Sequence, residues 1–178
     1  HRNDGFGRVS VCQSLDDILQ DERIEAAFVT KMAAQHYDAT KSLLLHNKHV
    51  FVEKPFVLHT REAEELVRLA AERERTLVVG YEYMLARHIH HLREMVDVHL
   101  ADVSSIEVLW EDPASEDKWG LRKQFDLSGN VIVDLYPHVL SQLLVLLGKE
   151  DVSLLGLQSQ DACWQARLEI LYGPTPVT

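Results

Sequence analysis

The chain has 178 residues, a net charge of −10, 46% hydrophobic and 26% charged residues. That balance makes a soluble globular protein with enough apolar mass for a core, in one domain or two small ones. It excludes nonspecific nucleic-acid binding, which concentrates Lys and Arg against phosphates, and no apolar run is long enough to span a bilayer. The two cysteines, Cys12 and Cys163, lie far apart with no signal-peptide pattern before them. Free thiols in a reducing compartment, and so a cytoplasmic protein, are expected. The chain starts at His1 rather than Met and reads as a fragment trimmed at both ends.

Residues 9–12, Val-Ser-Val-Cys, read as a short strand. Ser14, with Asp17 three residues on, predicts a capped helix whose apolar face is Leu15, Ile18 and Leu19. A buried strand follows over 26–30, then a helix over 35–47 with Leu43, Leu44 and Leu45 as its apolar part. Asn47 suits a left-handed stop to that helix. His49–Val52 is a four-residue apolar strand ended by Glu53, Lys54 and Pro55. Thr60 caps the next helix, acidic at its amino end, with Ala63, Leu66, Val67 and Ala70 as the buried stripe. A strand over 76–79 closes at Gly80.

Strand–helix alternation up to Gly80 means parallel strands with right-handed crossovers, half of a doubly wound sheet. Beyond it the rhythm changes. A helix is expected over 86–99, a strand over 103–110, an acidic loop from Glu111 to Asp117, and a turn at Ser128-Gly129-Asn130. Pro137 is tolerated best in a first helical turn, so the next helix is expected to start near Asp134 and expose Asp134 and His138 at its amino end. It should run to Leu147 and stop at Gly148. Strands over 152–157 and 163–172 complete a mostly antiparallel α+β part. The domains are therefore set at 1–83 and 84–178.

Two places carry chemistry. Lys54 follows a strand, and the carboxyl ends of strands are where open α/β sheets bind ligands; a solvated lysine beside Glu53 is the plain alternative. Asp134 and His138 are one helical turn apart and share a face; the plain alternative is an N-capping aspartate and an unrelated histidine. His88, His90, His91 and His99 crowd one helix, but no carboxylate or cysteine completes a ligand set, and no metal is expected. Arg122 and Lys123 are read as part of a solvated loop.

Strand, Glu53-Lys54-Pro55, helix, then Asp134 with His138 four residues on, resemble the glucose-fructose oxidoreductase / inositol dehydrogenase / rhizopine-catabolism (Gfo/Idh/MocA) family. His36, eighteen residues before Lys54, and Gly80-Tyr81-Glu82-Tyr83 also match, so the resemblance runs from about Val9 to Tyr172. It implies a partial Rossmann domain, followed by part of an α+β substrate domain. It further implies NAD or NADP as cofactor, a sugar, cyclitol or similar polyol as small-molecule substrate, and a homo-oligomer when intact. Lys54, Asp134 and His138 would be the catalytic set. Glu53, Lys54, Pro55, Thr30, Lys31 and His36 would line the cofactor, with a cis bond before Pro55. A histidine near neutrality can take the alcohol proton, and a lysine can steady the developing oxyanion.

The chain departs from the family at several points. Lys31-Met32-Ala33 replaces Thr-Pro-Asn, and Met84 stands where an arginine is common. Asn47 replaces a glycine, and Tyr136-Pro137 replaces another between Asp134 and His138. Gly5-Phe-Gly7 is not the Gly-x-Gly-x-x-Gly pyrophosphate cradle, so weak dinucleotide binding by this chain alone is expected. Three other readings stay open: a non-catalytic dinucleotide-sensing or regulatory member, NAD-assisted glycoside cleavage or elimination, or a truncated fragment that is itself inert.

Overall fold

A computed structural model describes residues 10–99, 108, 117–118, 121–122, 131–148, 152–160 and 165–172; for 99, 131–134 and the strands beyond 108 only the backbone is described. The chain divides into two compact units, one of residues up to 31 with 35–79, the other of 32–34 with residues from 80 onward.

In the first unit α1 (Leu15–Gln20) opens on a capping box. Asp17 N donates to Ser14 Oγ at 3.3 Å, while Asp17 Oδ2 accepts from Ser14 N and Gln13 N, each at 2.9 Å. β1 (Ala26–Val29), α2 (His36–Leu45), β2 (His49–Glu53), α3 (Thr60–Glu72) and β3 (Leu77–Gly80) follow in alternation. The sheet order is β1-β2-β3, with β1 and β2 parallel from Ala26 opposite His49 to Val29 opposite Val52. Val50 N reaches Thr76 O at 2.9 Å and joins the third strand to the second. This is the expected partial Rossmann sheet.

Period-two alternation decides which face is covered. Val29, Val50 and Val52 point into a core with Leu43 and Leu44 of α2, Leu66 and Ala70 of α3, and Leu19 of α1. On the other face Phe28 and Phe51 lie with ring centroids 5.0 Å apart, and Phe28 is 74% exposed. α2 and α3 are also tied outside the core. Tyr37 Oη donates to Glu65 Oε2 at 2.7 Å, and Lys41 Nζ lies 2.7 Å from Glu65 Oε1 and 2.9 Å from Tyr37 Oη.

Several expectations shift. No strand forms over 10–12, where Val11 is 84% exposed and no neighbour pairs with it among the described residues. Leu45 is 41% exposed, because three consecutive leucines fan out by about 100° each and only two can face the sheet. Val67 is likewise 58% exposed, and Leu69 packs on the core in its place. The N-cap of α3 is His59, and Thr60 is its first helical residue, with no side-chain capping bond. Asn47 does stop α2 in the left-handed region, at φ 57°, and Glu74 does the same after α3 at φ 53°.

In the second unit a 3-10 turn (Glu82–Leu85) leads into α4 (Arg87–His99). The short hairpin strands β4 (Asp117–Lys118) and β5 (Leu121–Arg122) precede α5 (Val131–Leu147). β6 (Val152–Gln160) and β7 (Gln165–Tyr172) pair antiparallel, with a register shift between Leu154 and Gly156. The antiparallel ladder is the expected α+β pattern. The strand expected over 103–110 lies outside the described residues except at 108, which is not in a strand. The Ser128-Gly129-Asn130 turn and Cys163 lie outside them too, as do the acidic loop before Asp117 and Lys123.

Ile89 of α4 packs on Leu146 and Leu147 of α5. Gly148 ends α5 at φ +86°, and Arg93 Nη1 caps its last turn by donating to Leu146 O at 2.7 Å and Val145 O at 3.3 Å. The start of α5 differs from expectation. It begins at Val131, so Pro137 lies inside the helix rather than in its first turn. Proline there removes one backbone donor, a loss the packed face of the helix offsets. Among the described residues no helix is long and apolar enough to cross a membrane.

Candidate functional site

β1 and β2 run parallel, so their carboxyl ends lie side by side and release the chain in the same direction. Thr30 and Lys31 leave β1 and are exposed; Glu53 ends β2, and Lys54 and Pro55 follow it, all three half-buried. The Lys54–Pro55 bond is cis. Glu53 Oε2 accepts from Lys54 N at 3.2 Å, which folds the carboxylate over the turn.

His36, the first residue of α2, joins the two exits. Its Nδ1 is 2.8 Å from Pro55 O and its Nε2 is 2.8 Å from Lys31 O, and the ring is 1% exposed. Six of the residues singled out from the sequence (Thr30, Lys31, His36, Glu53, Lys54 and Pro55) therefore share one edge of one sheet. His36 lies beneath the loops with both nitrogens engaged, while Thr30, Lys31, Glu53 and Lys54 carry the groups a ligand could meet.

That donor set fits part of a dinucleotide. A carboxylate can accept from ribose hydroxyls, and the Lys31 and Lys54 ammonium groups can donate to ligand oxygens. The Gly5-Phe-Gly7 segment lies outside the described residues.

The second cluster belongs to the other unit. His138 sits on α5 at 7% exposure rather than exposed at a helix start, because the helix begins a turn earlier than expected. Its ring meets the Tyr83 ring edge to face at 5.2 Å, and its Nδ1 lies 3.8 Å from Glu82 Oε1. Ser141 Oγ donates to the His138 carbonyl at 2.8 Å. Asp134 is in the first turn of α5, where the helix dipole favours a carboxylate; its side chain lies outside the described atoms. Glu82 and Tyr83 went unassigned in the sequence as neighbours of His138. Their signal was the Gly80-Tyr81-Glu82-Tyr83 segment, which reads as a connection rather than a wall. Beside them, burial pushes the Tyr81 phenol above its ordinary range.

On the histidine-rich helix α4, two of the described imidazoles make local contacts. His90 Nε2 lies 2.7 Å from Met84 O, and His91 lies 3.4 Å from Glu94. Among the described residues no group of three His, Cys, Asp or Glu could hold a metal.

Residues 6–81 match the family model described as an oxidoreductase family with an NAD-binding Rossmann fold. Scyllo-inositol 2-dehydrogenase (NADP(+)) IolW of Bacillus subtilis is 27% identical over 146 residues, 80% of this chain and 40% of that protein. UDP-N-acetylglucosamine 3-dehydrogenase of Acidithiobacillus ferrooxidans is 27% identical over 141 residues, 79% of this chain and 41% of that protein. Among solved structures, GenD2 from gentamicin A biosynthesis, in complex with NAD, superposes with a TM-score of 0.69 at 21% identity. It covers 86% of this chain and 45% of that one, and shows a shared fold. The chain spans about 40% of the length of the curated relatives it matches.

Proposed function

From the premise that this chain belongs to the Gfo/Idh/MocA oxidoreductases, a family with an NAD-binding Rossmann fold, we propose that it is part of an NAD(P)-dependent dehydrogenase or reductase acting on a sugar, cyclitol or similar polyol. The observation that carries this reading is the carboxyl edge of β1 and β2, where the Lys31 and Pro55 carbonyls both meet the His36 ring and Glu53 and Lys54 directly precede Pro55. That edge is where open parallel sheets take their ligands. The curated relatives include a cyclitol dehydrogenase and a nucleotide-sugar dehydrogenase, which supports a secondary alcohol as the reacting group.

In this reading Thr30, Lys31, Glu53, Lys54 and Pro55 line the cofactor, and His36 holds the loops they stand on. A bound nicotinamide supplies the hydride acceptor or donor. Lys54 holds the substrate oxygen and stabilises negative charge on it as the carbon–hydrogen bond breaks. His138 takes the hydroxyl proton in oxidation and returns it in reduction, and Asp134 orients it. The 7% exposure of His138 keeps competing water from its ring. In this reading the intact protein is a cytoplasmic homo-oligomer, an antiparallel sheet with one open face being a surface that is seldom left uncovered. A clean monomer mass by light scattering would remove that part of the proposal.

The test is turnover by the full-length protein with a panel of cyclitols and sugars, with NAD and with NADP, read by reduced-nicotinamide absorbance. Activity on a polyol, lost by roughly two to four orders of magnitude in Lys54→Ala, is expected for an acid–base and oxyanion-binding group. Equal activity in the variant would take Lys54 out of the mechanism.

A further inference from the structure

The 3-10 turn Glu82–Leu85 supplies two side chains that meet His138 of α5. The Tyr83 ring stands edge to face against the imidazole, with centroids 5.2 Å apart and planes at 89°. Tyr83 is itself held in place: it packs on the cluster of Ile89, Leu146 and Leu147, and its ring meets that of His88 at 6.4 Å. The backbone of the turn is fixed as well. Ala86 N donates to Tyr83 O at 3.2 Å, and His90 Nε2 lies 2.7 Å from Met84 O. On this held turn, Glu82 Oε1 lies 3.8 Å from His138 Nδ1. All of these groups belong to the second unit.

We propose that Glu82 is a positioning residue for His138: its carboxylate accepts from Nδ1–H and so leaves Nε2 as the nitrogen that takes the alcohol proton. The inference deepens the dehydrogenase reading above and rests on it for the identity of His138 as the acid–base group. A neutral imidazole carries one N–H and one lone pair, and its hydrogen-bond partners decide which nitrogen carries which. A carboxylate only accepts, so beside Nδ1 it favours the ring with its proton there and its lone pair at Nε2. The same negative charge stabilises the imidazolium formed once Nε2 has taken a proton. At 3.8 Å the pair is an ion-pair contact rather than a hydrogen bond. The ring is buried and Tyr83 fixes its plane, whereas the Glu82 side chain is 69% exposed and long enough to close the gap by a rotamer change. Catalytic contacts of this kind shorten in the substrate complex. Glu82 acts beside Asp134, which stands one turn back on the ring's own helix, and reaches the ring from a separate element.

Both tests use the full-length protein. The first is nitrogen-15 NMR with labelled histidine, the His138 signals being assigned by their loss in His138→Asn. The neutral His138 ring should show its hydrogen on Nδ1 and a bare Nε2, and in Glu82→Ala the population should move toward hydrogen on Nε2. A wild-type ring with its hydrogen on Nε2 overturns the proposal. The second test is the rate of hydride transfer in a single turnover, with saturating cofactor and the polyol found active in the substrate panel. Glu82→Ala should slow it about tenfold and leave dinucleotide Kd and Tm nearly unchanged. Glu82→Gln, whose amide oxygen still accepts from Nδ1–H, should recover part of that rate. A wild-type rate in Glu82→Ala, an equal loss in both variants, or a loss that tracks a large fall in Tm overturns the positioning role. If the wild-type protein turns over no polyol with NAD or NADP, the dehydrogenase reading falls, and the ring spectrum decides the Glu82 contact by itself.

Discussion

Lys54 and Ser14 mark two kinds of legibility at the scale of single residues. Ser14 and its carboxylate three positions on form a local motif, and the structure has both halves of the box. Ser14→Ala should cost about 1 kcal/mol, read as a lower midpoint in a urea melt, and an unchanged midpoint would show that α1 contributes nothing to folding. Lys54 was readable only by its place after an apolar strand. Of its surroundings, the Glu53 side chain on its amide is the adjacent residue's, whereas His36 beneath the next carbonyl comes from far away in sequence. His138 shows the opposite case. Helical spacing sets Asp134 one turn before it in the sequence, whereas Tyr83 and Glu82 reach it only through tertiary packing. The Lys54→Ala variant should lose turnover with a nearly unchanged Tm, since a half-buried lysine at a loop contributes little to the core. A large drop in Tm would make its role structural.

Helices and strands of the first unit were legible because period and punctuation agree there. β1, β2 and β3 are short apolar runs bounded by charge, proline or glycine, and the left-handed stop at Asn47 separates α2 from β2. What the pattern could not settle was which of several adjacent apolar residues faces the sheet. Leu43 and Leu44 won over Leu45, and Leu69 over Val67, because the sheet admits a narrow stripe. Leu44 is fully buried, so Leu44→Ala should cost roughly 2–5 kcal/mol by chemical denaturation. Leu45→Ala should cost far less, and equal losses would contradict the placement of the stripe. In the second unit the start of α5 was misplaced because a proline was read as a first-turn signal. Packing of α5 on α4, with Arg93 closing its last turn, carries the helix through Pro137 instead.

For the whole molecule, net charge and composition left fold and activity open, and the order of elements decided the fold. The acidic surface does bear on stability. Backbone donors from Ser14 and Gln13 hold the Asp17 carboxyl below its ordinary range, and Lys41, then Tyr37, does so for Glu65. The Arg23 side chain holds Asp21 at about 2. Each group has a folded value below its unfolded one, so its contribution is present above about pH 4 and is lost as pH falls through the folded value. Thermal melts should therefore give a Tm that is flat from about pH 6 to 5 and drops between about pH 4 and 2. Asp21→Asn should shallow that drop; a Tm that rises on acidification would contradict the assigned pairings.

Dinucleotide binding is the most direct measurement. Calorimetric titration of the full-length protein with NAD and with NADP should show saturable binding to one of them, weakened in Lys54→Ala and His36→Phe. Saturable binding of either cofactor by the wild type, reduced in both variants, is the predicted result. Binding of neither would contradict hydride transfer as the function of this chain and leave the β1–β2 edge without its proposed ligand.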